Sequence, residues 1–464
     1  MKINHLILLA LLSSCFGKKA QYEPLIKTID SPDELLISNI NIFNGIDSTL
    51  LVEYDVWITN GEITNIYPHS TEKSVDVHVI DGTNKYLIPG LIDTHVHSMA
   101  SGSAPWSMVR PNAEKNMEAW LAAGITTVYD LGGIPSQSKK LRNKIENKEI
   151  IGPDIYFTGS PITAPGGHPI KASKSMLPFP LSLLVNFIIQ SADHKTNIPK
   201  LIDGYVSDEV DYIKIINDQL PEGSPQIDQN VMKSIIDESH KRGLKTFVHI
   251  GNEKDLMTAL EANADIIAHF PYRSSLSSDS NGHNLLSSET KIIHTFTGFE
   301  NTLKISRGIY EPTELDKRMH PSEFTIPVTG KNGLEINETD ILDEFSQTLS
   351  NNQINWEKSL RILREKSVSF TIGTDSPLPG AYPGSSFHQE LQRLNQEGYN
   401  TFELLRASTY EAANLFLERP NFGTIDVGKI ANLLIVNRNP IEQIEHTSDI
   451  HLIIKRGTIH EPLY

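Results

Sequence analysis

Residues 86–97 read Tyr-Leu-Ile-Pro-Gly-Leu-Ile-Asp-Thr-His-Val-His, an apolar run broken at Pro89-Gly90 and closed by two histidines. Bounded by that turn signal, 91–96 is expected to be a strand. Working outward from it, the C-terminal side alternates. Apolar stretches at 125–130 (ITTVYD), 154–159 (DIYFTG), 211–216 (DYIKII), 244–250 (LKTFVHI), 264–269 (ADIIAH), 291–297 (KIIHTFT) and 368–374 (VSFTIGT) read as further strands. Helical stretches lie between most of them, at 113–123, 227–242 and 253–262 for example, with Gly124 and Gly243 as helix stops. Eight apolar strands alternating with helices predict an α/β fold, a (β/α)₈ barrel.

On the N-terminal side the pattern is different. Segments 34–43 and 50–58 read as short strands, and Asn60-Gly61 is a two-residue hairpin signal. After helices near 401–417 the chain returns to β character at 423–437 and 449–460. β segments at both ends predict that residues 22–88 and 422–464 pair into one small sandwich, with residues 89–421 inserted as the barrel. The Ser-, Asn- and Gly-rich stretch 271–289 follows the predicted sixth strand, so it is expected at the face where barrel sites are built and over the site.

Composition narrows the function. The 464 residues carry 57 acidic against 41 basic side chains, a formal net charge of −16, and this argues against a nucleic-acid partner, whose phosphates call for clustered cations. With one cysteine the fold cannot depend on an intrachain disulfide. The apolar run Leu6 to Leu12 is far short of the roughly 20 residues that span a bilayer. It ends in Leu12-Ser13-Ser14-Cys15 and resembles a bacterial lipoprotein signal. That resemblance implies a signal peptide over residues 1–14, a diacylglycerol on Cys15, export, and membrane contact through the lipid alone. Phe16 after the cysteine resembles outer-membrane sorting, so the expected location is the periplasmic face of the outer membrane or the cell surface.

The chemistry rests on residues at strand ends. His95 and His97 are two apart in a strand, so both project to one face and can converge on one ion. A lone His-x-His is weak, since two polar residues at that spacing are ordinary. Lys214, His249, His269 and Asp375 also fall at or near the C-terminal ends of predicted strands, the side on which barrel active sites are assembled. Any one buried histidine is more often a packed core residue; the group as a whole points to a metal site. Imidazole and carboxylate suit Zn²⁺ and similar divalent ions. Lys214 as an ammonium does not, and taken by itself it reads as a barrel-end cation. Its carbamate, formed with CO₂, would offer two anionic oxygens able to bridge two ions.

Pro89 to His97 (PGLIDTHVH), Lys214, His249, His269 and Gly373 to Pro377 (GTDSP) together resemble the amidohydrolase superfamily. They are most similar to its branch of imidazolonepropionase-like enzymes and metal-dependent Xaa-Pro and Xaa-Arg dipeptidases. The resemblance, over residues 34–460, implies His95, His97 and Asp375 on one divalent metal, His249 and His269 on a second, and carboxylated Lys214 bridging both. It implies a binuclear hydrolase of amide bonds in dipeptides or cyclic amides, most simply a zinc enzyme, with a metal-bridging hydroxide as nucleophile and Asp375 as proton shuttle. Gly166-Gly167-His168 and His388-Gln389-Glu390-Leu391 fit the dipeptidase-like branch. The chain departs from many relatives at His249-Ile250-Gly251, in place of His-Ala-His-Gly, and at Ala268-His269-Phe270, in place of Glu-His-Gly. These departures leave the substrate open.

Two further residues are expected to contact substrate. His168, on a loop whose paired glycines allow close backbone approach, would donate a hydrogen bond to a substrate carbonyl or carboxylate, or else stabilise its own loop. Arg273 would pair with a substrate carboxylate, or else remain a solvated loop residue. His388 reads as a packing residue and His294 as core. The competing readings are a mononuclear deaminase or cyclic-imine hydrolase on the same scaffold, and a surface-anchored lipoprotein that binds without catalysis.

Overall fold

Hairpin formation at Asn60-Gly61 follows directly from backbone geometry. A computed structural model describes residues 19–70, 77–102, 110–176, 181–277, 290–325, 339–415 and 420–464. In it Asn60 (φ 51°) and Gly61 (φ 80°) are both left-handed, as a two-residue turn between right-twisted strands requires. A Cβ on Gly61 would also lie 2.6 Å from the Arg456 carbonyl oxygen, so only glycine fits. The turn joins β3 to β4 in a run of strands β1 (Ile26–Asp30), β2 (Glu34–Ile42), β3 (Leu51–Thr59), β4 (Glu62–Pro68), β5 (His78–Asp81) and β6 (Tyr86–Pro89).

Past Gly90 the pairing becomes parallel. β7 (Leu91–Val96), β8 (Ile125–Asp130) and β9 (Asp154–Phe157) form a three-stranded sheet. β10 (Ile162–Thr163), β11 (Gln190–Ser191), β12 (Ile213–Asn217), β13 (Thr246–Ile250), β14 (Ile266–Ala268), β15 (Lys291–His294) and β16 (Phe370–Ile372) form a second, in the order β11-β10-β12-β13-β14-β15-β16. Hydrogen bonds cross between the two sheets on both sides. Asp211 N donates to Phe157 O at 2.9 Å; at the other margin Asp375 N donates to His95 O at 2.8 Å and His97 N to Ser376 O at 2.7 Å. Helices Ala113–Ala122, Gln229–His240 and Glu253–Glu261 stand between strands where the periodicity predicts them.

The differences from the sequence reading have local causes. The stretch 291–297 is a strand only to His294, and Phe296–Ser306 is a helix. Buried Glu390 accepts the amides of Phe296 (2.8 Å) and Thr297 (2.6 Å), satisfying donors that a helix start leaves unpaired. The helices expected near 401–417 are Thr401–Ala407 and Tyr410–Ala413, whereas 423–437, read as β, is a strand only over Asn432–Val436. The two-residue strands β10 and β11 carry no periodicity to read. Residues 1–18, with Cys15, and 278–289 of the loop expected over the site lie outside the described residues. No helix among the described residues is long and apolar enough to cross a membrane.

β17 (Asn432–Val436), β18 (Ile450–Lys455) and β19 (Thr458–Pro462) return to the N-terminal strands. The nine strands share one sheet in the order β1-β19-β18-β17-β6-β2-β3-β4, with β5 on β2, and Leu35, Ile37, Val56, Leu433, Ile435 and Ile454 meet in one buried cluster. A second buried cluster takes Ile92, Phe247, Ile266 and Ile293 from the parallel strands β7, β13, β14 and β15, together with Ala412, Ala413 and Phe422. This apolar layer lies two or three residues before His95, His249 and His269 in the sequence.

At the end of β16 a Cβ on Gly373 would lie 2.6 Å from the His95 Cβ and 3.1 Å from its nitrogen. Gly373→Ala is therefore expected to cost about 1–3 kcal/mol by overpacking. At roughly 2–4 °C per kcal/mol, calorimetry should show a lowered Tm; an unchanged Tm would mean that the two strands are not so closely apposed.

Candidate metal centre

His95 is the penultimate residue of β7 and His97 follows its end, while Asp375 lies three residues past β16. Asp375 Oδ1 is 3.2 Å from His95 Nε2 and 2.9 Å from His97 Nε2. Asp375 (φ 58°) and His269 (φ 71°) both adopt left-handed backbone, which Asp and His tolerate better than most residues. Asp93 holds the loop in place. Buried within β7, it accepts from Thr374 N at 3.1 Å and Thr374 Oγ1 at 2.7 Å, fixing the residue before Asp375 against the strand that carries His95.

His269 follows β14 and shares a 2.6 Å hydrogen bond with Thr295 through Nδ1. Its ring centroid is 4.7 Å from that of His95 and 4.5 Å from that of His249, so it stands between the first three donors and His249. Lys214 is not at the C-terminal end of its strand, as the sequence reading had it. It is the second residue of β12 and pairs with Phe247, whereas His249 pairs with Ile216. At about 3.3 Å per residue this places the Lys214 backbone roughly 6.6 Å below that of His249, a gap its long stem can bridge. Its Nζ is buried and has no hydrogen-bond partner among the described residues.

Asp218, just past the end of β12, occupies the place expected of Lys214. His168, Asp218 and His249 form a second group whose ligand atoms lie within 4.8 Å of one another, as do those of His95, His97 and Asp375. His249 Nε2 is 3.3 Å from Asp218 Oδ2, which also accepts from the Tyr272 hydroxyl. Arg273 Nη1 is 3.0 Å from Asp218 Oδ1, an ion-pair distance without the alignment of a hydrogen bond, and donates to Gln219 O. The guanidinium expected to meet a substrate carboxylate thus has a carboxylate partner within the protein.

The expectation for His168 is also revised. Its Nδ1 is 2.9 Å from Leu220 O, and a carbonyl can only accept, so the neutral ring carries its proton there. Nε2 is then an acceptor and cannot donate to a substrate carbonyl. Burial pushes the His168 pKa down to about 4, which keeps the ring neutral. The paired glycines serve the protein: Gly166 is left-handed (φ 75°), and a Cβ on Gly167 would lie 2.6 Å from Pro225 O. His388 bonds Ala123 O at 2.9 Å and Thr447 Oγ1 at 3.0 Å, a packing role, and buried His294 bonds the Tyr399 hydroxyl at 3.2 Å.

The electrostatics follow from burial. It pushes the Lys214 ammonium down to about 7, with Asp375 acting in the opposite direction. Burial, reinforced by Lys214, takes His95 down to about 3, and burial with the neighbouring imidazoles holds His269 well below the usual histidine range. For Asp375 burial disfavours the charge, but His95 and His97 outweigh it and hold the carboxyl well below its ordinary value. Asp218 behaves alike: burial opposes ionisation, and His249, His168 and Arg273 prevail. For His97 burial disfavours the charge, but Asp375 outweighs it and raises the pKa. Converging imidazoles, ionised carboxylates and a lysine nitrogen with no hydrogen-bond partner among the described residues fit a site for divalent cations.

The solved structure of a Xaa-Pro dipeptidase with methionine in its active site matches with a TM-score of 0.72 at 18% identity, covering 92% of this chain and all of that one. That of a putative prolidase from Bifidobacterium longum matches at 0.70 and 21% identity, over 94% and 95% of the two chains. At these identities the likeness is one of fold. An adenine deaminase of Clostridium perfringens is 33% identical over 95 residues, 20% of this chain; the matched stretch spans 15% of the deaminase's own length. The sequence pattern of the Amidohydrolase family covers residues 86–460, from β6 through every donor described above to β19, and on that match this chain belongs to the Amidohydrolase family.

Proposed function

We propose that this chain is a metal-dependent hydrolase of carbon–nitrogen bonds that holds two divalent cations, Zn²⁺ first among them, and acts on dipeptides or cyclic amides. The observation that carries the reading is the convergence of His95, His97 and Asp375 beside a buried Lys214 amine that has no hydrogen-bond partner among the described residues. His95, His97 and Asp375 would hold one cation and His249 and His269 the other. Lys214, converted to its carbamate by CO₂, would stand between them. The parallel strands β7 to β16 are read as one closed (β/α)₈ barrel within residues 89–421, flanked by a sandwich of residues 22–88 and 422–464. Residues 1–14 are read as a lipoprotein signal, with Cys15 lipidated and the mature chain exported.

Bound divalent ions lower the pKa of water from 15.7 to about 7 and polarise carbonyl oxygens. The protein's own part is positioning and proton transfer. Asp375 turns Oδ1 toward both imidazoles, which leaves Oδ2 to take a proton from water and deliver it to the leaving nitrogen. His168 presents its Nε2 lone pair to a substrate N–H or O–H. The partial likeness to adenine deaminases favours, as a second reading, a mononuclear deaminase in which His95, His97 and Asp375 act without Lys214.

Metal analysis combined with assays on Xaa-Pro and Xaa-Arg dipeptides, cyclic amides and adenine separates these readings. The proposal expects about two equivalents of divalent metal per chain and amide hydrolysis. One equivalent with adenine deamination would support the second reading. Fewer than about 0.2 equivalents after growth in metal-replete medium, with no turnover, would leave a binding protein.

A further inference from the structure

The proposed mechanism does not use Asp218, although this carboxylate is fully buried and three neighbours converge on it. We infer that Asp218 is a positioning residue that fixes the tautomer of His249, keeping its proton on Nε2 and so directing the Nδ1 lone pair toward the second cation. The inference rests on the binuclear reading above and adds to it a residue that determines how one ligand is presented.

An ionised carboxylate can only accept, so the His249 Nε2 facing it at 3.3 Å must carry a hydrogen. A metal takes a lone pair, and Nδ1 is the nitrogen that then has one. The three donors of the second group are better read as this relay than as a separate ion site. The Arg273 guanidinium already compensates Asp218 at 3.0 Å, and His168 spends Nδ1 on Leu220 O. The carboxylate is also held sterically. A Cβ on Gly251, two residues past His249, would lie 2.1 Å from Asp218 Oδ1, and Gly251 O accepts from Arg273 N at 2.7 Å. The end of β13, the carboxylate and the segment after His269 are thereby locked together, and a carboxylate behind a ligating histidine commonly sets ring orientation and basicity.

The test has one readout that needs no metal and one that does. Metal-free full-length protein labelled with ¹⁵N-histidine, with the His249 signals assigned by their loss in His249→Gln, should show the Nε2–H tautomer. Asp218→Asn should shift population to Nδ1–H, because an amide can donate to Nε2. A wild-type His249 on the Nδ1–H tautomer, or a tautomer unmoved by Asp218→Asn, overturns the inference whatever the metal content. Equilibrium dialysis with Zn²⁺ should show the second affinity weakened about 10–100-fold in Asp218→Asn and the first retained. Equal affinities in variant and wild type would also overturn it, whereas absence of a second ion from the wild type would count against the binuclear reading alone. Because Asp218→Asn strands a buried arginine, Asp218→Asn/Arg273→Met serves as the second variant, removing both charges together.

Discussion

Asp375→Asn is expected to lower kcat by about 10²–10⁴-fold, the range that a positioned proton-transfer group supplies. Asparagine keeps an oxygen that can face His95 and His97 but cannot accept and return a proton. Metal content should therefore stay within about half of the wild-type value, so that the loss belongs to chemistry rather than to an empty site. The basic arrangement of the loop should persist, since it depends on backbone bonds from Asp375 N to His95 O and from His97 N to Ser376 O. Steady-state kinetics with parallel metal analysis checks this. Turnover preserved in the variant would remove Asp375 from proton transfer and leave it as a ligand only.

Lys214→Met is expected to move activity and stability in opposite directions. Activity should fall to the detection limit and one equivalent of metal should be lost, because no carbamate can form on methionine. The metal-free variant should nevertheless be more stable than the metal-free wild type. The wild-type ammonium is pushed down to about 7 by burial, against 10.5 for an ordinary lysine, so folding at neutral pH works against its protonation. The sign follows from linkage: the unfolded chain binds this proton more tightly, so the penalty is present below about pH 7 and fades as pH rises toward 10.5. Removing it should stabilise the metal-free protein by a few kcal/mol, or on the order of 5–10 °C in Tm at pH 7. The advantage of the variant should shrink by pH 10. A metal-free Lys214→Met that melts below the wild type at pH 7 would show that the amine is stabilised in a way the structure does not reveal.

Much of the frame was legible because the signals were local. The runs ITTVYD and LIDTHV are strands over the residues expected, and Asn-Gly carries its own turn geometry. His95, His97, His249, His269 and Asp375 stood out because ligand-type residues recur at strand ends. What escaped depends on pairs far apart in sequence. Asp218 matters through His249 and through Tyr272 and Arg273, the last two more than fifty residues away, and Thr295 through His269. The polar Asn217-Asp218 ending the apolar IKII was the available clue. The level of Lys214 was misjudged because strand ends, unlike strands, have no periodicity. The donor role of His168 failed because a tautomer is decided by one carbonyl, Leu220, from a distant loop.

The way β6 runs through Gly90 into β7 has a consequence for biosynthesis. β7, which bears His95 and leads directly into His97, continues a strand whose antiparallel partner is β17, and β1 is likewise zipped to β19. Once residue 400 has been made the chain already contains every histidine and the aspartate of the centre, yet β1 and the β17-facing edge of β6 still lack their partners. Closure of that sheet must wait for residues 432–462, leaving these two edges unpaired during synthesis.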